Sequence, residues 1–179
     1  MKKKTVWDLN RPSLETYRLG PKTPVAVVLD NVRSLNNIGS IFRTCDAFAV
    51  SQIVLCGISA TPPSPEIHKT ALGAEDSVDW RYFPTTAEAV DTLRREGYTL
   101  LALEQAAGSI PLQDFRPTAD GAPYAIIAGN EIDGVAQHIV DACHHTLEIP
   151  QHGTKHSLNV AVSTALCIWH LYLALHPRP

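Results

Sequence analysis

Between Pro24 and Asn31 the chain reads Val25-Ala-Val-Val-Leu-Asp30, five apolar residues in an unbroken row closed by an acid. A run of that length suits a β-strand. Because no polar residue alternates with the apolar ones, neither face of such a strand can meet water, which is the situation of a parallel strand covered by helices on both sides. The same texture returns at Gln52–Cys56, Tyr98–Leu103 and Tyr124–Ala128, with shorter candidates at Val78–Phe83 and Thr146–Ile149. Helical patterns separate these runs. Asn37 is placed to cap a helix reaching about Val50, with Ile38, Ile41, Phe42, Cys45, Phe48 and Ala49 on one stripe. At 100° per residue Arg43 points away from that stripe. A short helix around Ile67–Leu72, another over Thr86–Glu96 and a closing helix over Leu158–Leu173 complete the series. The alternation predicts an α/β fold, a mostly parallel sheet with helices on both faces.

The 179 residues make one domain with a short appendage, and 45% hydrophobic content supplies ample apolar surface for its core. The net charge of −3 conceals an asymmetry. Residues 1–43 hold eight Lys/Arg against three acids, a net +5, while the rest holds seven against fifteen, a net −8. A basic first quarter on an acidic body suggests a surface that meets a polyanion, although a solvated basic tail reads the same way. We therefore divide the chain into a basic extension, 1–23, and a domain, 24–179. No apolar stretch follows the Lys-rich start, so no secretion signal is expected and the protein reads as cytoplasmic. The four cysteines are widely spaced, without a C-x-x-C pair, which excludes a zinc ribbon and offers no disulfide framework. Leu158–Leu175 approaches the length of a membrane span, but Asn159, Ser163, Thr164 and His170 interrupt it, and it reads as a buried or subunit-interface helix.

Three segments placed after strands combine glycine with uncharged hydrogen-bonding side chains: 31–43, 128–134 and 149–159. In α/β proteins ligands gather at such loops. Taken singly, each also reads as an ordinary turn or cap. No G-x-G-x-x-G follows the first strand, and neither a phosphate-binding P-loop nor a G-x-S-x-G elbow occurs, so dinucleotide, nucleotide-triphosphate and hydrolase readings lack motif support. His144, His145, His152 and His156 match no metal-ligand spacing, and no metal is expected.

Taken together and in order, the three segments resemble the motifs of the SpoU/TrmH branch of the SPOUT RNA methyltransferases. Asn37-Ile-Gly-Ser-Ile-Phe-Arg43 resembles the first motif and Gly129-Asn-Glu-Ile-Asp-Gly134 the second. Ile149-Pro-Gln-His-Gly153 with Ser157-Leu-Asn159 resembles the third, and Ile67–Ala74 is similar to the stretch between the first two. The resemblance covers about residues 24–174.

It implies a C-terminal deep trefoil knot, S-adenosyl-L-methionine held in the knot loops, and a homodimer with no membrane association. By matching positions it implies cofactor contacts at Gly129, Asn130, Ile149, Gly153 and Leu158, and a reacting set of Asn37, Arg43, Glu131, Ser157 and Asn159. The implied chemistry is methyl transfer to a ribose 2′-hydroxyl. A guanidinium is a permanent cation, so Arg43 suits stabilisation of the developing alkoxide better than removal of a proton, which falls to another acceptor such as an RNA phosphate. Asn37 and Glu131 would orient Arg43 or its loop; Ser157 and Asn159 would hold loops and ribose. With about 23 residues ahead of the first strand, RNA contacts fall to Lys2, Lys3, Lys4, Arg11, Arg18, Lys22, Arg33 and Lys69. The expected substrate is tRNA ahead of ribosomal RNA. A knotted RNA-binding module without activity is the alternative, and the complete polar set speaks against it.

Overall fold

A computed structural model describes residues 1–5, 7–118 and 123–176; the last residues of the expected domain, 177–179, lie outside them. One seven-stranded sheet is built from β1 (Thr23–Asp30), β2 (Val50–Cys56), β3 (Trp80–Phe83), β4 (Thr99–Leu103), β5 (Ile110–Pro111), β6 (Tyr124–Gly129) and β7 (His145–Glu148). Every pairing in it is parallel. Around it lie α1 (Leu14–Leu19), α2 (Leu35–Ala47), α3 (Pro65–Ala71), α4 (Ala74–Ser77), α5 (Thr86–Arg95), α6 (Gln137–Ala142) and α7 (Val160–Leu175).

The apolar runs are explained by the two layers that cover the sheet. In β1, Val25, Val27 and Leu29 pack with α2, α3 and α7, through Ile38, Ile41, Phe42, Ile67, Cys167, Ile168 and Leu171. Ala26 and Val28 face the other way, against Ala89, Val90 and Leu93 of α5 and Ile139 of α6. With a packed layer on each side, no position from Val25 to Leu29 can be polar, and Asp30 at the end of the strand is still only 2% exposed. Gly39 lets α2 approach α3 closely: a Cβ there would collide with the Ile67 carbonyl and the Thr70 hydroxyl.

Helix starts differ from the sequence expectation because side chains choose them. The cap of α2 is Ser34, whose Oγ accepts the N–H of Asn37 (3.3 Å), so Asn37 lies inside the first turn with its own side chain free for other work. The closing helix starts at Val160, after Asn159, whose Oδ1 accepts from Ala161 (2.9 Å) and Val162 (3.3 Å). The sequence reading did not foresee α1, α4, α6 or the two-residue β5. No described helix is long and apolar enough to cross a membrane.

Strand order positions the site. Across the sheet it runs β3-β2-β1-β6-β4-β7-β5, so β6 occupies a slot between β1 and β4, and β7 one between β4 and β5. The carboxyl ends of β1, β6, β4 and β7 therefore stand side by side near the middle of the sheet. The loops that leave them are the three Gly-rich segments and one more, after β4.

Candidate active site

A cavity of about 500 Å³ opens at these strand ends, lined by Leu103–Gln105, Ala128–Gly134, Ile149, Gln151 and His156–Val160. That volume lies within the ~300–1,000 Å³ of small-molecule sites. Gly129 shapes its floor. Its Cα presses against Gly134 and Val135, where a Cβ would overlap their backbone. Asn130 Oδ1 accepts the N–H groups of Ile132 (3.0 Å) and Asp133 (2.9 Å), which folds the second segment into a tight turn closed by mutual backbone bonds with Gly134 (3.2 Å each).

The three segments are joined directly. Glu131 Oε1 accepts from Asn37 Nδ2 (3.0 Å) and from the Ser34 N–H (3.2 Å), and its Oε2 accepts from the Arg33 N–H (3.3 Å). Asn37 Oδ1 in turn accepts from Asn159 Nδ2 (3.1 Å). Asn37 is thus the bridge between the second segment and the third, and Asn159 ties both to the start of α7. Burial pushes the Glu131 carboxyl upward, but the bonds from Asn37, Arg33 and Ser34 outweigh it and hold it below the usual carboxylate range.

Of the expected cofactor contacts, Gly129, Asn130, Ile149 and Leu158 line the cavity, while Gly153 stands exposed outside its lining. Of the expected reacting set, Glu131, Ser157 and Asn159 line it and Asn37 borders it through Asn159. Arg43 does not join them. It is exposed on α2, six residues from Asn37 or about 9 Å along the helix axis, outside the cavity lining. Lys2, Lys3, Lys4, Arg11, Arg33 and Lys69 are exposed. Arg18 instead donates to the Asp76 carbonyl (Nε, 3.0 Å), and Lys22 donates to the Tyr17 carbonyl (2.5 Å) with its ammonium 3.4 Å from the Tyr17 ring centroid. Both fasten α1 to the fold.

Glu104 and Gln105, after β4, were missed by the sequence reading. Gln105 Nε2 donates to the His156 carbonyl (2.7 Å) and anchors the third segment; Glu104 Oε2 accepts the Val135 N–H (2.8 Å). Their only signal was a position after an apolar run. The charged residues of the lining are Glu104, Glu131 and Asp133, with no Lys or Arg among them. A cavity so walled favours a ligand that carries positive charge, and its backbone groups at Gly129–Gly134 suit polar contacts close to the main chain. Among the described residues no group of three or more His, Cys, Asp or Glu is placed to hold a metal ion.

Comparison with known proteins identifies the family and the fold. The chain is 28% identical over 166 residues to the 23S rRNA (guanosine-2′-O-)-methyltransferase RlmB of Vibrio parahaemolyticus, covering 93% of this chain and 66% of that protein. An AdoMet-bound rRNA methyltransferase structure from Sinorhizobium meliloti superposes with a TM-score of 0.79 at 27% identity, covering 87% of this chain and 58% of that one. A structure concerned with the 2-OH methylation of C/U34 on tRNA gives a TM-score of 0.75 at 25% identity, covering 86% of this chain and 97% of that one. The chain spans about three-fifths to two-thirds of the length of the first two. The model of the SpoU rRNA Methylase family matches residues 24–169, well over half of the chain, and the protein belongs to that family.

Proposed function

We propose that this protein is an S-adenosylmethionine-dependent RNA methyltransferase that methylates a ribose 2′-hydroxyl, with tRNA as its substrate. The observation that carries the reading is the hydrogen-bonded chain Glu131–Asn37–Asn159, which joins three separate segments around one cavity. The methylating domain is residues 24–179, preceded by the basic extension 1–23. The tRNA assignment is supported by the tRNA-methylation structure, of which this chain covers 97%. Such an enzyme works in the cytoplasm, where its RNA is found.

The residues present fit the cofactor. Backbone at Gly129, Ile149 and Leu158 would hold it, and the acidic wall suits a sulfonium cation. When bound, S-adenosylmethionine supplies the methyl electrophile. The chain must then aim a hydroxyl and favour its loss of a proton. Asn37 and Asn159 have both ends of their amides engaged, so they hold the loops in place. Ser157 borders the cavity and is left to meet the ribose, and Arg43 supplies the cation for the alkoxide.

Arg43 lies outside the cavity of its own chain, so this chemistry calls for a site completed by a second copy. The solvent face of α7 carries Val162, Leu166, Trp169 and Leu173, each at least 43% exposed, beside a groove bordered by Ser40 and Thr44 of α2 and by Phe48 just after it. A stripe at that spacing is what a helix pairs with another helix. We assign this face to a homodimer interface that brings Arg43 of one copy to the cavity of the other. A C-terminal trefoil knot is part of the same reading, supported by β6 and β7 entering slots between strands formed earlier in the chain.

Calorimetry with S-adenosylmethionine in the presence of a chelator, followed by transfer of its labelled methyl group to unfractionated tRNA, tests the proposal. Binding and transfer are expected without added metal. Absence of binding, or transfer that zinc or magnesium must restore once RNA folding is controlled, contradicts it.

A further inference from the structure

Gly129, the last residue of β6, lies between two acids. Its register partner in β1 is Asp30, and β4 pairs Leu103 with Ala128, which sets Glu104 on its other side. Side chains alternate along strands, so Asp30 shares a face with Ala26 and Val28, and Glu104 shares it with Leu100, the face covered by α5 and α6. The chain leaves β6 at Gly129, turns along the cavity wall and returns on that face to start α6. Both carboxylates meet it on its return. Glu104 Oε2 accepts the Val135 N–H (2.8 Å), and Asp30 Oδ2 accepts the N–H of the next residue, Ala136 (3.2 Å).

Their remaining oxygens are also engaged. Glu104 Oε1 accepts the Gln105 N–H (2.8 Å), while Asp30 Oδ1 accepts from the Thr86 hydroxyl (2.5 Å) and the Asn31 amide (2.8 Å). Every group facing them donates, and an ionised carboxylate is the side chain that accepts at both oxygens and donates at neither. The fit is close: a Cβ on Gly134, already at φ +66°, would collide with Glu104.

We propose that Asp30 and Glu104 are positioning residues, a paired clamp that holds the 129–136 loop in its cofactor-receiving shape before the cofactor arrives. The inference rests on the S-adenosylmethionine reading of the cavity. A loop that presents its backbone to a ligand binds weakly when the ligand must first order it, so pre-ordering appears as affinity. The clamp acts through the loop, and its loss falls on cofactor binding rather than on the chemical step.

Glu104→Gln is the informative variant. Whichever way its amide is turned, an NH₂ group faces the N–H of Gln105 or of Val135. In ligand-free protein, amide exchange at Val135 should accelerate at least about tenfold while the amides of β1 and β6 keep their protection. S-adenosylmethionine affinity should fall about tenfold or more, in step with the faster exchange at Val135. Asp30→Asn should do the same at Ala136. Asp30 is buried, so if that variant fails to fold, Glu104→Gln and Glu104→Ala decide the matter. Unchanged exchange at Val135, unchanged affinity, or a loss of rate at saturating cofactor with affinity intact would overturn the clamp. If the parent protein does not bind S-adenosylmethionine, the proposed function fails, while the exchange measurement still judges the clamp.

Discussion

Among the proposed site residues, Arg43 is a free cation and Glu131 a fixed anion. Arg43 has no hydrogen-bond partner in its own chain among the described residues and stands exposed on α2. Its removal should leave the fold and the cavity intact. Arg43→Ala is therefore expected to lower single-turnover methyl transfer by about 10²–10³ while S-adenosylmethionine affinity stays near the parent value. A folded variant with near-parent rates would refute the assignment. Glu131 behaves oppositely, since its bonds to Asn37, Arg33 and Ser34 join the second segment to the first, and through Asn37 to the third. Its folded carboxyl titrates below its ordinary value of 4.5. The ionised form therefore contributes stability that is fully present above that value and is lost as pH falls through the lower, folded one. Melting temperature should fall less steeply between about pH 5 and pH 3 in Glu131→Gln than in the parent. Equal slopes would remove the carboxylate from this role.

At the scale of elements, the strands were legible because two packed layers leave their residues no polar choice, as Val25–Leu29 illustrate. Helix starts were less so. Ser34 and Asn37 are both cap residues by type, and what separates them is Glu131, far along the chain, which engages the Asn37 side chain. The helix α6 begins at Gln137, after Ala136, which offers no capping side chain, and β5 is two residues long, so neither carries a local signal. Glu104 and Gln105 were illegible for a non-local reason: nothing near β4 announces that β6 and β7 will flank it. The closing helix was legible as apolar on nearly every side, and the structure separates its buried residues, such as Cys167 and Leu171, from the exposed stripe. Trp169 lies in that stripe and stacks on Tyr172 at 5.8 Å between ring centroids. Trp169→Glu should leave the monomer folded and shift sedimentation from dimer to monomer at micromolar concentration. A parent protein that sediments as a stable monomer would contradict the interface.

For the whole molecule, the proposed function has charge and catalysis meet at the RNA. Lys2, Lys3 and Lys4 are exposed, whereas Arg18 and Lys22 donate within the chain, so the first three are the better candidates for phosphate contacts. Each such contact contributes a salt slope near −0.9 on duplex and about −0.7 on single strands. Replacing all three by Gln should weaken RNA binding and flatten the slope by about 2–3, with cofactor affinity unchanged. An unaltered slope would mark a solvated tail and leave the contacts to Arg33, Lys69 and the partner subunit. The central claim is methyl transfer to ribose, and mass spectrometry of the nucleosides tests it most directly. Purified protein, S-adenosylmethionine and tRNA from cells lacking this protein should yield one 2′-O-methylated nucleoside, formed about 10²–10³ more slowly with Arg43→Ala. A methyl group found on a base, or none on any nucleoside of tRNA or ribosomal RNA despite cofactor binding, would contradict the account.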